Sequence, residues 1–146
     1  MPGVSTLRVN LLRALYLLLF AGQASIQLPI LIGRGTALSF WQGVGASMLL
    51  SLALLSLVGV RYPLQMIPLL LFEFAWKLTW VIAIFLPRWL GGTLDAATAQ
   101  SAPEIMAGVI VPLVIPWHYV VQNYVRKPGD PWRRPPAEAA AAGRNG

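Results

Sequence analysis

The chain contains 146 residues, of which 57% are hydrophobic and only 11% carry a charge. Since roughly a quarter of the residues in a soluble domain are charged, this composition excludes an ordinary water-soluble globule and predicts that lipid surrounds most of the chain. The sequence has no cysteine, which excludes disulfides and thiolate chemistry. Its single histidine leaves no basis for a histidine-rich metal site or bis-histidine haem. We therefore predict no cofactor.

Eleven Lys and Arg residues outnumber five Asp and Glu residues and give a net charge of +6. In a soluble protein this excess would suggest nucleic acid as a partner. Here the positive residues sit at the ends of apolar runs, where Lys and Arg set orientation and contact anionic lipid head groups. We expect a lipid bilayer with anionic head groups as the partner, and no nucleic acid.

Four apolar runs follow one another along the chain, each close to the ~20 residues that a membrane-spanning helix needs. They cover residues 14–32, 41–60, 64–86 and 104–125. The runs predict an all-α fold, a polytopic transmembrane four-helix bundle within residues 1–125. A basic, Pro/Ala-rich cytoplasmic tail follows over residues 126–146, and its lack of an apolar face predicts disorder over most of it.

The first run also has features of a secretory signal peptide. Arg8 and Arg13 precede a short apolar core, and residues 22–24 have the small residues of a signal-peptidase cleavage site at their first and third positions. The hydrophobic stretch continues to Ile32, which favours an uncleaved span. Cleavage would leave three spans instead of four, and the sequence leaves this alternative open.

The positive charges are unevenly divided between the two sides that the spans define. Eight lie on one side, namely Arg8, Arg13, Arg61, Arg126, Lys127, Arg133, Arg134 and Arg144. Arg34 and Arg88 lie on the other side, and Lys77 inside the third span completes the eleven. This asymmetry predicts that both termini are cytoplasmic. The four basic residues from 126 to 134 are candidates for lipid-head-group contacts, with a docking site for a soluble partner as the alternative.

The longest predicted loop, residues 87–104, joins the third and fourth spans. Ser101 and Glu104 have the spacing of a capping box, so we expect the fourth helix to begin there. Pro112 and Pro116 each remove a helical hydrogen bond, and we expect them to kink this helix.

Glu73 and Lys77 lie near the centre of the third run. Each charge costs roughly 2.5 to 3.5 kcal/mol at the middle of a membrane helix if it is unpaired. The spacing of four residues puts both side chains on one helical face, with Glu before Lys, which is the better order. We therefore expect an ion pair within the helix.

Counting inward from the predicted inner ends of the spans puts polar residues of two other helices at the same depths as this pair. The count predicts a buried polar layer, with Gln23, Ser51 and Glu73 on one tier and Gln27, Ser47 and Lys77 on the other.

Two interpretations of the pair remain open. It can be a substrate site, a proton relay or an ion path, or a self-neutralising strut that fixes which side of its helix faces inward. In a four-span chain without a second acid, the strut is the favoured interpretation. His118 adds a candidate proton carrier, although an interfacial hydrogen-bonding role is the more common one.

Two stretches of the chain, RYPLQMIPLLLFEFAWKLTW and VPLVIPWHYVVQNYVRKPGDPWR, resemble a family of small, uncharacterised four-span bacterial inner-membrane proteins. The resemblance covers the third and fourth spans and their cytoplasmic flanks. It implies a bacterial source and a multi-pass location in the inner (plasma) membrane, and it implies no activity or catalytic residue.

The sequence contains no phosphate-binding glycine loop and no Ser-His-acid arrangement, so we expect no enzyme. The favoured function is that of a small integral membrane protein with a non-enzymatic role, such as an accessory subunit or scaffold. The alternative is a small transporter or proton-coupled carrier that uses Glu73 and Lys77. Either role is compatible with a homo-oligomer or a larger membrane complex.

Overall fold

The computed structural model describes residues 3–132, and all the regular secondary structure in this range is helical. Four of the helices are long and apolar enough to cross a membrane, which confirms the predicted all-α class and the number of candidate spans. The candidate head-group contacts Arg133 and Arg134 and most of the predicted disordered tail lie outside the described residues.

The first two helices have well-formed N-termini. Helix α1 covers Thr6–Arg34, and the Ser5 side chain accepts a hydrogen bond from the backbone N–H of its first turn. Helix α2 covers Phe40–Arg61 and begins with a capping box, in which Ser39 and Gln42 satisfy each other's backbone N–H groups. Such caps supply partners for N–H groups that a helix start otherwise leaves unpaired.

Helix α3 covers Ile67–Leu90 and contains a wide π-helical stretch at Val81–Phe85. The stretch ends two residues before Pro87, whose ring would meet the carbonyl of Ala83 in a regular α-helix. The wider turn accommodates the proline without ending the helix, because the backbone N–H of Leu86 bonds to the carbonyl of Val81 instead.

Helix α4 covers Ala96–Val114, so the predicted start and end of the fourth span were both wrong. Asp95 is the N-cap and accepts hydrogen bonds from Thr98, and an Asp side chain is as well suited to this position as the serine six residues later. Ser101 lies inside the helix, where its hydroxyl donates to the Ala97 carbonyl.

The end of α4 is also set by a proline. Ile115 leaves the helical conformation with a ψ of 126°, as residues that precede proline commonly do. Pro116 therefore breaks the predicted span instead of kinking it. Pro112 is retained within α4, and the backbone tightens to a 3₁₀ turn at Ala107–Val109 just before it.

The chain divides into two compact units with a boundary between Pro116 and Trp117. The second unit contains a short helix, α5, which runs over Trp117–Val120 and continues as a π-helical stretch over Val121–Arg126. The predicted domain boundary, after residue 125, stays a prediction.

The best-packed part of the first unit is the pair formed by α1 and α2. Tyr16 is fully buried, and its ring lies so close to Gly59 that a side chain there would overlap it. Its hydroxyl donates to the Pro63 carbonyl at 3.0 Å, and Arg13 donates to the Val60 carbonyl at 3.3 Å. These contacts join α1 to the end of α2 and to the connection that follows it.

Helix α3 attaches to this pair along a narrow stripe. Ile67, Leu70 and Glu73 have no exposed surface, and their spacing of three residues puts them on one face. Only 11% of the most apolar part of α3 is buried, which is the smallest share among the four long helices.

Candidate functional site

The predicted ion pair is present in α3. The Lys77 Nζ atom lies 2.7 Å from Oε1 of Glu73, and the Glu73 side chain is fully buried while that of Lys77 is 12% exposed. Trp76 donates its indole N–H to the second carboxylate oxygen at 2.7 Å. No described residue sends a well-directed hydrogen bond to Oε1, so that oxygen depends on its ionic contact with Lys77.

The indole of Trp76 supports both charges. Its N–H bonds the carboxylate, and its ring lies below the ammonium with 5.4 Å between Nζ and the ring centroid. A cation above an aromatic face is attracted by the ring, and the attraction grows when water is excluded. Among the described residues, Glu73 and Lys77 therefore compensate each other's charge within one helix, and Trp76 contacts both of them.

A glycine on α4 makes room for the lysine. A Cβ atom at Gly108 would overlap Cδ of Lys77 and lie 3.1 Å from its Nζ. The ammonium therefore lies against the α4 backbone at the 3₁₀ turn. A larger residue would push α4 away or displace the lysine from Glu73.

An apolar cleft of about 200 Å³ opens beside this pair, between α1 and α4. Leu15, Leu19 and Ile26 line it from α1, and Ile110 and Val111 line it from α4. Its polar lining residues are Gln23, Lys77 and Glu104. The cleft is thus an apolar space with a few converging polar groups, which is the usual form of a small-molecule site.

Glu104 is a functional candidate that the sequence reasoning missed. The capping-box interpretation put it at the helix start, whereas α4 begins at Ala96 and carries Glu104 two turns farther into the span. The overlooked signal was Asp95 followed by Thr98, which forms the real N-cap. Contrary to the prediction, the long helices therefore carry a second acid, and Glu104 lines the same cleft as Lys77.

The residues of the predicted polar layer differ in their burial. Gln23 and Gln27 are buried, and the amide of Gln27 donates to Oε1 of Gln23 at 3.3 Å. Ser47 and Ser51 are exposed, with the Ser51 hydroxyl bonded to the carbonyl of Ser47 in its own helix, so the buried layer does not include them.

The buried serine of α2 is Ser56. It shares a face with Ala53 and Gly59, and its hydroxyl donates to the Ala53 carbonyl at 2.6 Å. The depth count predicted only the level of each serine along α2, and it carried no information about the rotation of that helix about its axis.

Other candidate residues lie in the second unit. His118 is exposed, and so are Arg126 and Lys127, the two head-group candidates that fall within the described range. Burial raises the pKa of Tyr124 above its ordinary value. Their predicted roles in proton transfer and lipid contact stay predictions.

A polar cluster connects the end of α3 with the start of α4. Arg88 forms an exposed ion pair with Asp95 at 2.8 Å and also donates to the Thr98 hydroxyl. Hydrogen bonds from the Thr98 side chain, and then from its backbone N–H, lower the pKa of Asp95, with Arg88 adding to the shift. The cluster holds the loop between the two helices in a defined conformation.

Within residues 3–132, no three His, Asp or Glu side chains form a group that could hold a metal ion. Comparisons of the chain with protein-family models, with curated proteins and with solved structures find no match. The proposed function is therefore based on the geometry of the cleft and of the ion pair.

Proposed function

We propose that this chain is a multi-pass protein of a bacterial inner membrane, with both termini in the cytoplasm. Four helices of spanning length and apolar composition support membrane insertion. The division of positive charge into eight on one side and two on the other supports the orientation.

Within that membrane, the chain acts as a non-enzymatic accessory subunit or scaffold. The observation that carries this proposal is the closure of the ion pair within α3, where Glu73 has no exposed surface. A pair that compensates its own charges acts as a strut, because the attraction between Glu73 and Lys77 offsets the desolvation cost of burying the charged face of α3.

The strut leaves the opposite face of α3 available to a partner. Phe72, Leu78 and Ile82 are exposed large apolar side chains on this helix, which is the least buried of the four. Lipid can cover such a surface, and so can a helix of a larger membrane complex or a second copy of the chain.

Site-directed photo-crosslinking in native membranes tests the scaffold role. A photoreactive amino acid at Leu78 should give a discrete protein adduct, whereas the matched position Leu54 on α2, which is also exposed, should give lipid adducts alone. If Phe72, Leu78 and Ile82 all yield no protein adduct, α3 has no partner and the proposal fails.

A proton-coupled carrier is the second candidate, and Glu104 is the observation that favours it. This carboxyl lines the same cleft as Lys77, so a second acid is available for proton transfer. Such a carrier would need a homo-oligomer to line a continuous path. Proteoliposomes should then show proton flux that Glu73→Gln and Glu104→Gln each reduce. An absence of proton flux with the wild-type chain would rule out the carrier function.

A further inference from the structure

The cleft between α1 and α4 has an apolar body, and two of its lining side chains have N–H groups that lack an acceptor among the described residues. Lys77 uses its ammonium for Glu73 and has no second acceptor among the described residues, although an ammonium carries three N–H groups. Gln23 receives a hydrogen bond from Gln27 through its oxygen, which leaves its own amide N–H groups without a described acceptor. Both donors line the cleft.

The charges around the cleft select against an anionic ligand. The charge of Lys77 is cancelled by Glu73 at 2.7 Å, so the pair presents donors without net positive charge. Glu104 adds a carboxyl group with no hydrogen-bond or ion-pair partner among the described residues. A phosphate or carboxylate head group would find no unpaired cation here, and burying it would be costly.

The depth of the cleft selects for a head group that is soluble in hydrocarbon. Lys77 lies ten residues from Ile67 and thirteen from Leu90, which corresponds to about 15 Å and about 20 Å at the rise of a helix. The site is therefore near the middle of the proposed bilayer. Phospholipid ester carbonyls lie near the edge of its ~30 Å core and would not reach it.

We propose that this cleft binds an isoprenoid-type quinone, that is, an uncharged ring with carbonyl acceptors on a lipid tail. Lys77 and Gln23 donate to the quinone carbonyls, and Leu19, Ile26 and Val111 pack around the ring. A volume of about 200 Å³ holds the head group, and the tail leaves through the open side into lipid. This site is independent of any partner on α3, and it rests only on the proposed bilayer location.

Gly22 provides a direct test, because it lines the cleft and a Cβ there would meet no atom within 4 Å. Gly22→Phe should fill the cleft without a clash in the fold. Gly33→Phe is the matched control, since Gly33 lies on the same helix, has equally open surroundings and does not line the cleft.

Binding of a short-tailed benzoquinone is measured by equilibrium dialysis against nanodiscs with and without the chain. The wild type and Gly33→Phe should show one saturable site above the partition into empty nanodiscs. Gly22→Phe should bind at least ~10-fold more weakly, which corresponds to about 1.4 kcal/mol. Equal binding by the wild type and Gly22→Phe, or loss of binding in both variants, would overturn the assignment.

Oleate and a diacylglycerol in the same nanodiscs test whether the cleft selects an uncharged quinone head group. Both should bind the wild type more weakly than the benzoquinone does, and Glu104→Gln should strengthen oleate binding while leaving quinone binding within about threefold. Oleate binding that equals quinone binding in the wild type would contradict the proposed ligand class. These outcomes are separate from the crosslinking result, so failure of the scaffold and failure of this site are distinguishable.

Discussion

Replacing Lys77 with methionine tests the physical basis of the ion pair. The substitution keeps an unbranched side chain against Gly108 but removes the ammonium that lies 2.7 Å from Glu73. Glu73 has no exposed surface and retains only the hydrogen bond from Trp76. Because one partner of a buried pair is left uncompensated, we expect the free energy of unfolding to fall by about 3 to 5 kcal/mol.

The double variant Glu73→Gln/Lys77→Met removes both charges and provides the matched control. A glutamine at position 73 still offers an oxygen to the Trp76 indole, so the hydrogen bond there can persist. Replacing a buried pair by uncharged residues of similar size is often close to neutral. We expect the free energy of unfolding of the double variant to lie within about 1 kcal/mol of the wild-type value and well above that of the Lys77→Met variant.

The assay is reversible unfolding in mixed micelles, with the two single variants and the double variant arranged as a double-mutant cycle. A coupling energy of about 2 kcal/mol or more would support a strut in which the charges stabilise each other. The strut is refuted if Lys77→Met lowers the free energy of unfolding by less than about 1 kcal/mol. It is also refuted if the double variant lowers this free energy by the sum of the decreases that the two single variants cause. Either result would mean that something other than Lys77 compensates Glu73.

Two further predictions concern packing and pH. Gly59→Ala should lower the free energy of unfolding by about 1 to 3 kcal/mol, because the new methyl group overlaps the ring of Tyr16. Gly43→Ala in the same helix, where a Cβ meets nothing within 4 Å, should instead be neutral or stabilise by up to about 1 kcal/mol in the same unfolding assay. For Asp95, the folded pKa lies below the unfolded value, so its capping contribution is complete above the unfolded pKa and is lost as pH falls through the folded one. Hydrogen exchange of the Thr98 amide should therefore lose protection, relative to an Asp95→Asn variant, as the pH falls below about 4.

Several features of this protein followed from local sequence information. The four helices of membrane-spanning length were predictable, because a helix that crosses hydrocarbon needs a long apolar run and such a run can be read directly from the sequence. The contact between Glu73 and Lys77 was predictable for a similar reason, since four residues along a helix bring two side chains together whatever surrounds them.

The ends of the fourth helix were harder to predict because two signals competed at each of them. Asp95 and Ser101 are both acceptable N-caps, and the choice between them moved Glu104 from a helix start into a cleft. At the other end, Pro112 is tolerated while Pro116 ends the helix, although both are prolines within one apolar run.

The sequence by itself determined that the chain forms four helices of spanning length and that Glu73 and Lys77 share one face of the third. The tertiary structure alone decided how each helix is rotated about its axis, and with it that Ser56 is buried while Ser51 is exposed. It also decided that Gly108 meets Lys77 and that Glu104 shares the cleft with Gln23. The physical reason is that hydropathy sets position along the helix axis, whereas rotation depends on which side chains of different helices pack together.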